Sequence, residues 1–382
     1  MNIGRDFLIK LNGILMNIQK TILPIEYWNS GRTRLIASKD ENGRDIEVGY
    51  FFSCQFTGLS KHYPQPLIYS HQTQKLILPT KEMFMSLGRG TVYEEKMEYE
   101  VNIPFHFENF CSVPVFYFVY NMANYYHFIY DTLPYLYSYF NEKQIHPDLK
   151  LLVSPPEGKE DLYPFVWECL ELLGIRKKDV VFLNPKTLYN VVVVGSSLTH
   201  NGLSNTPPHS GVFEIINRMK SDYQGPEKIY ISRRTWLHNN LENIGTNYTE
   251  RRRCVNEDEM AELFKSYGYE EVFCENMSMT EKIGLFNSAK YVSGPIGGGM
   301  CNVIFSPPET KVISINSPLF FDINTRFEYS MSHTQLYHFN DTEFVEQIEE
   351  SVESDGALSV SGGLNSPWKV NLNKLKTFLD NA

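Results

Sequence analysis

Three groups of residues in this chain combine types and spacings suited to chemistry. The first is SGPIGGGMCNVIF (293–305), where Gly297, Gly298 and Gly299 follow a strand-like run and precede a short helical one. Glycines at such a junction let the backbone approach a ligand, and the free N–H groups of a helix start favour an anion such as a diphosphate. The competing reading is a tight strand–helix turn that binds nothing, and the spacing is neither that of GxGxxG nor that of a P-loop. The second group is ISRR (231–234), with Arg233 and Arg234 closing a strand. Guanidinium groups bind phosphate oxygens bidentately, although a surface arginine pair is ordinary in an acidic protein. The third is HFIYD (127–131), where His127 and Asp131 are four apart and share a helical face. Such a pair can supply a general base for a hydroxyl, one residue tuning the other, or simply form a structural hydrogen bond.

Two further charge runs read as structural. Arg251, Arg252 and Arg253 read as a solvated basic loop before a helix, or as a second arginine cluster adding to a phosphate-binding half, and the acidic run 257–259 complements that helix's dipole. The chain contains no DxD pair of carboxylates for a hard divalent cation. The expectation is therefore a diphosphate neutralised by arginines and backbone dipoles, with no metal and no bound cofactor.

The elements that must position these groups become regular after an irregular, β-rich lead-in over residues 1–110. EVGYFFSCQF (47–56) and PLIYS (66–70) read as strands. SVPVFYFVY, LKLLVSPP, DVVFLN and YNVVVVGSSL are further strands. NYYHFIYDTLPYLYSYF (124–140) has helical spacing that Pro134 should kink or divide. In the second half, KIYISRR, EEVFCE, KYVSGP and KVISIN are strands alternating with helices over 256–268 and 278–289. Asn256 with Glu259, and Ser278 with Glu281, have capping-box spacing, and Gly268 is a helix stop. Alternation of this kind implies an α/β fold with parallel sheets covered on both faces. Two Rossmann-like halves follow: an N-terminal, acceptor-side domain over 1–215 and a C-terminal nucleotide-sugar-binding domain over 216–350. A linker and a final helix occupy 351–382. A ligand belongs in the crevice outside the strands' carboxyl ends.

At 382 residues, with 42% hydrophobic and 21% charged residues, the chain can bury the cores of two globular domains. Its net charge of −10 argues against a general nucleic-acid binder. The six cysteines form no CxxC pair and read as scattered reduced thiols. The N-terminus has no signal-peptide pattern. Residues 7–22 read as a packed amphipathic helix with room for contact at a membrane surface, and no run reaches the ~18 apolar residues of a transmembrane span. These features suggest a cytoplasmic protein, working in solution or against a membrane surface.

The order NYYHFIYDTLP, ISRR, RRRCVNEDEMAELFKSYGY, MSMTEKIGLFNSAKYVSGPIGGGMCNVIFSP resembles glycosyltransferase family 61, across roughly residues 112–316 and most strongly over 228–308. That family includes bacterial capsular polysaccharide enzymes, plant xylan-decorating enzymes and animal N-acetylglucosaminyltransferases. The resemblance implies a GT-B fold, two Rossmann-like domains with a cleft between them and the donor held mainly by the second. It implies inverting, metal-independent transfer of a hexose or pentose from a nucleoside-diphosphate sugar to a hydroxyl of a glycan, polysaccharide or lipid-linked saccharide. By similarity, Arg233 and Gly297 to Gly299 would bind the diphosphate, with Arg234, Ser278 and Asn302 nearby. Asp131 would be the base, with His127 orienting the acceptor or serving as the base itself.

Two departures stand out. The family's usual His-Gly-Ala-Gly has Ile296 at its His and Gly298 at its Ala, and the loop 235–250 is longer than usual. The first keeps alive a catalytically inactive nucleotide- or sugar-binding member of the same fold, which would bind without turnover. A Rossmann-type oxidoreductase is a third reading, against which the glycine spacing counts.

Overall fold

The computed structural model describes residues 7–11, 14–28, 33–38, 45–57, 66–79, 98–104, 106–199, 207–235, 252–317, 321–339, 342–348 and 366–381. Nearly all of the long loop 235–250 and of the linker 351–366 lies outside these. The chain divides into two compact units. The first comprises Met1–Met122, Asp131–Leu162 and Gly174–Ile215; the second comprises Ala123–Tyr130, Tyr163–Leu173 and Ile216–Ala382.

The first unit is built on a twelve-stranded sheet. Its strands are β1 (Phe7–Leu11), β2 (Ile14–Tyr27), β3 (Thr33–Ala37), β4 (Ile46–Phe56), β5 (Ile68–Ser70), β6 (Lys75–Leu78), β7 (Glu98–Pro104), β8 (Asn109–Cys111), β9 (Val115–Tyr117), β10 (Lys150–Val153), β11 (Val180–Phe182) and β12 (Thr187–Gly195). The order is β1-β2-β6-β5-β4-β12-β9-β10-β11, with β3 beside β4, β7 beside β2 and β8 beside β12. The run β12-β9-β10-β11 is parallel, and β4 joins it antiparallel through β12. Apolar runs such as Val192 to Val194 and Leu151 to Val153 fit strands buried on both faces. Trp28, Phe56, Tyr117, Leu152, Tyr189 and Val192 pack in one core.

One expectation fails here. Residues 7–22 form no helix; β1 and β2 pair antiparallel from Phe7↔Ile18 to Leu11↔Ile14. The apolar residues Ile14, Met16 and Ile18 recur with period two, and Asn12-Gly13 is a strong hairpin signal. The stretch 124–140 is divided, as Pro134 requires, into a helical turn Tyr125–His127, a π turn Phe128–Thr132, a 3₁₀ turn Leu133–Tyr135 and the helix α1 (Leu136–Ile145).

The second unit carries a fully parallel sheet of β13 (Lys228–Ile231), β14 (Glu270–Val272), β15 (Tyr291–Pro295), β16 (Lys311–Ile315) and β17 (Gln335–Phe339), in the order β14-β13-β15-β16-β17. Numbered from its first strand this is 2-1-3-4-5, the doubly wound order whose switch point lies between the first and third strands. Outside this sheet, β18 (Val345–Gln347) pairs with β19 (Trp368–Val370). The remaining helices, in chain order, are α2 (Pro164–Leu172), α3 (Gly211–Ile216), α4 (Glu257–Ser266), α5 (Met279–Ser288), α6 (Phe321–Met331) and, after β19, α7 (Leu372–Leu379). The C-terminal run expected to be wholly helical thus begins as a strand.

Gly268, at φ +80°, ends α4 in a left-handed cap, its N–H donating to Lys265 O and that of Tyr269 to Phe264 O. The other end of α4 departs from its expected capping box. The Asn256 side chain caps nothing; its Nδ2 donates to Val370 O at 3.0 Å and its Oδ1 accepts from Val370 N at 2.9 Å. Both bonds are buried and tie the helix start to β19, a stronger use of the amide than one exposed cap bond.

Candidate functional site

The switch point of the parallel sheet brings two of the sequence groups together. Arg233 follows β13 and the glycine turn follows β15. Arg233 Nη1 donates to Ile296 O at 2.9 Å, and a Cβ added to Gly297 would sit 3.1 Å from Arg233 Nε. A Cβ on Gly299 would sit 2.7 Å from Ile231 Cγ2, whereas one on Gly298 would meet only Tyr125 Cδ1, at 3.9 Å. Gly299 is thus required by packing against β13, while Gly297 sits tightly against the Arg233 side chain. Gly298 is the exposed member, and a side chain there would meet only an ordinary contact with the Tyr125 ring. Ile296, where the resemblance places a histidine, is 2% exposed, and its N–H continues the parallel ladder to Ile315 O. The turn leads into a 3₁₀ helix, Met300–Phe305.

The two arginines of ISRR have different fates. Arg234 is held by Glu271 through Nε and Nη2 and by Asp258 through Nη1 at 2.8 Å. Partial burial works against its charge, but the two carboxylates outweigh this and raise its pKa above the ordinary arginine value. Arg233 is anchored by its backbone, its N–H donating 2.6 Å to Glu257 Oε1, while Glu257 also accepts from Tyr230 OH. Burial lowers the Arg233 guanidinium and Glu257 opposes the fall; an arginine still carries its charge at neutral pH. The acidic run 257–259, read as dipole compensation, therefore has a second use: Glu257 and Asp258 position the strand end that carries both arginines.

A contact that spacing could not reveal links the His motif to the turn. Tyr125, two residues before His127, donates from its hydroxyl to Asn302 Oδ1 at 2.5 Å, and Asn302 Nδ2 donates to Gly299 O at 2.8 Å. Burial raises the Tyr125 hydroxyl well above its ordinary pKa, so it stays a donor. Asn302 is fully buried. Ser278 is the N-cap of α5: its Oγ accepts from Glu281 N, and Glu281 Oε2 accepts from Ser278 N at 2.8 Å. Its polar groups serve the helix start, which also donates Met279 N to Glu168 Oε2 at 2.5 Å.

His127 is half-buried at the end of the Tyr125–His127 turn, its N–H donating to Asn124 Oδ1 at 3.2 Å. Asp131 lies in the π turn, fully buried, and accepts from the buried Thr199 Oγ1 at 2.9 Å. The α-helical register breaks between the two residues, and π turns of this sort recur at functional sites. Arg252 has φ +56° before α4, and Trp368 Nε1 donates to Arg252 O at 2.8 Å. That part of the second arginine cluster is bound into the fold through its backbone.

Among the described residues no group of His, Cys, Asp and Glu side chains could hold a metal ion, and no helix is long and apolar enough to cross a membrane. All six cysteines are free thiols.

A 2-1-3-4-5 parallel sheet with a glycine turn and an anchored arginine at its switch point defines an open α/β protein, a class in which ligands bind outside the strands' carboxyl ends. The family model for Glycosyltransferase 61 matches residues 125–313, from Tyr125 through the glycine turn into β16. The chain belongs to glycosyltransferase family 61 and is a glycosyltransferase. No match is found among curated proteins.

Proposed function

We propose that this glycosyltransferase transfers a sugar from a nucleoside-diphosphate donor to a saccharide hydroxyl, with inversion and without a metal ion, in the GT-B organisation that the resemblance implies. The observation that carries the donor reading is Arg233 lying against Gly297 and Ile296 O at the switch point, in a turn whose next residue, Gly298, is exposed. The diphosphate lies against the N–H groups of the glycine turn with Arg233 beside it, a preorganised set of donors for charge that develops as the leaving group departs. Tyr125 and Asn302 hold the turn's carbonyl side fixed. Arg234 and Ser278 act at one remove, on the strand end and on the start of α5.

In the transfer step the acceptor oxygen forms its bond to the anomeric carbon from the face opposite the leaving group. The bond from that carbon to the diphosphate oxygen breaks, its electron pair staying with the diphosphate. The acceptor's proton passes to a base. We assign that base to His127, which is half-buried, and give the sealed Asp131 a supporting role through its bond to Thr199. A general base must come within hydrogen-bond reach of the proton it takes.

The donor reading is tested by thermal stabilisation with uridine, guanosine, cytidine and adenosine diphosphates, with and without chelator. A ligand at 100 times its Kd adds about 2.7 kcal/mol. A rise in Tm with one nucleotide, unchanged by chelator and absent in Arg233→Ala, is expected. A rise that needs magnesium, or that survives Arg233→Ala, would overturn the reading.

A further inference from the structure

Lys282 has no place in the account above. It sits in the second turn of α5, and the residue is only 6% exposed. A lysine so enclosed ordinarily has a carboxylate partner. Among the described residues Lys282 has no ion pair and no hydrogen bond; its ammonium lies over the Tyr125 ring, 4.6 Å from the centroid. The carboxylates at the start of α5 are committed elsewhere, Glu281 to the N–H and hydroxyl of Ser278 and Glu168 to the N–H of Met279. A cation–π contact holds an ammonium without neutralising it, which leaves the N–H donors for an anion.

The same ring that carries the ammonium faces the glycine turn. Tyr125 Cδ1 is the nearest atom to the open side of Gly298, and the Tyr125 hydroxyl binds Asn302. We propose that Lys282 is a second cationic contact for the donor's diphosphate, held by Tyr125 and acting with Arg233. This rests on the donor reading of the previous section. The chemistry is complementary: a diphosphate carries more charge than one guanidinium offsets, and the Arg233 guanidinium already spends a donor on Ile296 O. A monophosphate, with less charge and shorter reach, would need the second cation less.

The test is calorimetric binding of the four nucleoside diphosphates to the full chain, with the matching monophosphate and nucleoside, comparing Lys282→Met and Lys282→Arg with the unmodified protein. An ionic hydrogen bond of this kind is worth about tenfold to a hundredfold in Kd. Lys282→Met is expected to weaken the diphosphate by at least that tenfold, the monophosphate by less and the nucleoside not at all. Lys282→Arg, which keeps the charge, is expected to stay within a few-fold. The melting temperature of each unliganded variant checks its fold, and Lys282→Gln is read in the same way should Met not be tolerated. Equal diphosphate affinity in Lys282→Met and the unmodified chain overturns this inference and leaves the donor reading standing. An equal loss for diphosphate and nucleoside overturns it too, since the residue would then shape the site rather than pair with charge. No nucleotide binding by the unmodified chain refutes the donor reading and this inference with it.

Discussion

The glycine turn yields a graded prediction, because its members face different surroundings. At Gly298 an added Cβ meets only Tyr125 Cδ1 at 3.9 Å, an ordinary contact, and φ is not in the left-handed region. Gly298→Ala, which restores the residue usual in the family, should leave stability unchanged or raise it by about 0.4–1 kcal/mol through the unfolded chain. At Gly299 the Cβ lies 2.7 Å from Ile231 Cγ2, a methyl on a β-branched side chain in the sheet that cannot swing away. Overpacking of this kind costs about 1–3 kcal/mol, and each kcal/mol moves Tm by about 2–4 °C in a unit of this size. Gly297→Ala falls between: its Cβ is 3.1 Å from Arg233 Nε, so the guanidinium must give way by a few tenths of an ångström. Its signature is weakened nucleoside-diphosphate binding with a nearly unchanged Tm. Gly294, at φ +152° with the Ile231 carbonyl where a Cβ would go, should be the least tolerant of the four. Thermal melting of the four alanine variants, followed by nucleotide titration of those that fold, reads the series. Loss of stability in Gly298→Ala equal to that in Gly299→Ala would refute the reasoning.

Other outcomes follow from the same geometry. Arg234→Ala should lower stability by about 1–2 kcal/mol through loss of its bonds to Glu271 and Asp258, while nucleotide affinity changes far less than in Arg233→Ala; chemical denaturation and titration separate the two. His127→Gln should abolish turnover while keeping nucleotide affinity, whereas Asp131→Asn should chiefly reduce stability, which melting and a transfer assay distinguish. His338 is half-buried, desolvation lowers its pKa to about 4, and Glu328 lies 3.5 Å away. A histidine neutral in the folded state but protonated when unfolded stabilises fully above pH ~6.5, and that stability is lost as pH falls toward about 4, a total of order 3 kcal/mol. His338→Gln should flatten that part of the stability–pH curve, as measured by denaturant unfolding.

Much of the second unit was legible because its central strands are buried and so read as apolar runs between helices. KIYI, YVSGP and KVISI became β13, β15 and β16, and Ser278 and Glu281 form the capping box their spacing announced. Errors came where a local pattern has two uses. The apolar residues of 7–22 suit a helix by count but alternate with period two, and Asn256 has an ideal cap position yet bonds to Val370, 114 residues on. The adjacent Arg233 and Arg234 look equivalent in sequence; only the fold sends one to Glu271 and Asp258 and leaves the other against the glycine turn. The Tyr125–Asn302 bond spans 177 residues, and no local propensity encodes it. The burial of Lys282 against the Tyr125 ring, 157 residues away, is likewise a product of the fold.

The most direct test of the central claim is consumption of donor. Nucleoside-diphosphate release is measured from a panel of nucleotide sugars, with saccharide acceptors, in the presence of chelator. One donor is expected to be consumed at an undiminished rate when chelator is added, with the product anomer inverted and with the rate lost in Arg233→Ala. Release that requires a divalent cation, retains the anomeric configuration or persists without Arg233 would contradict the account.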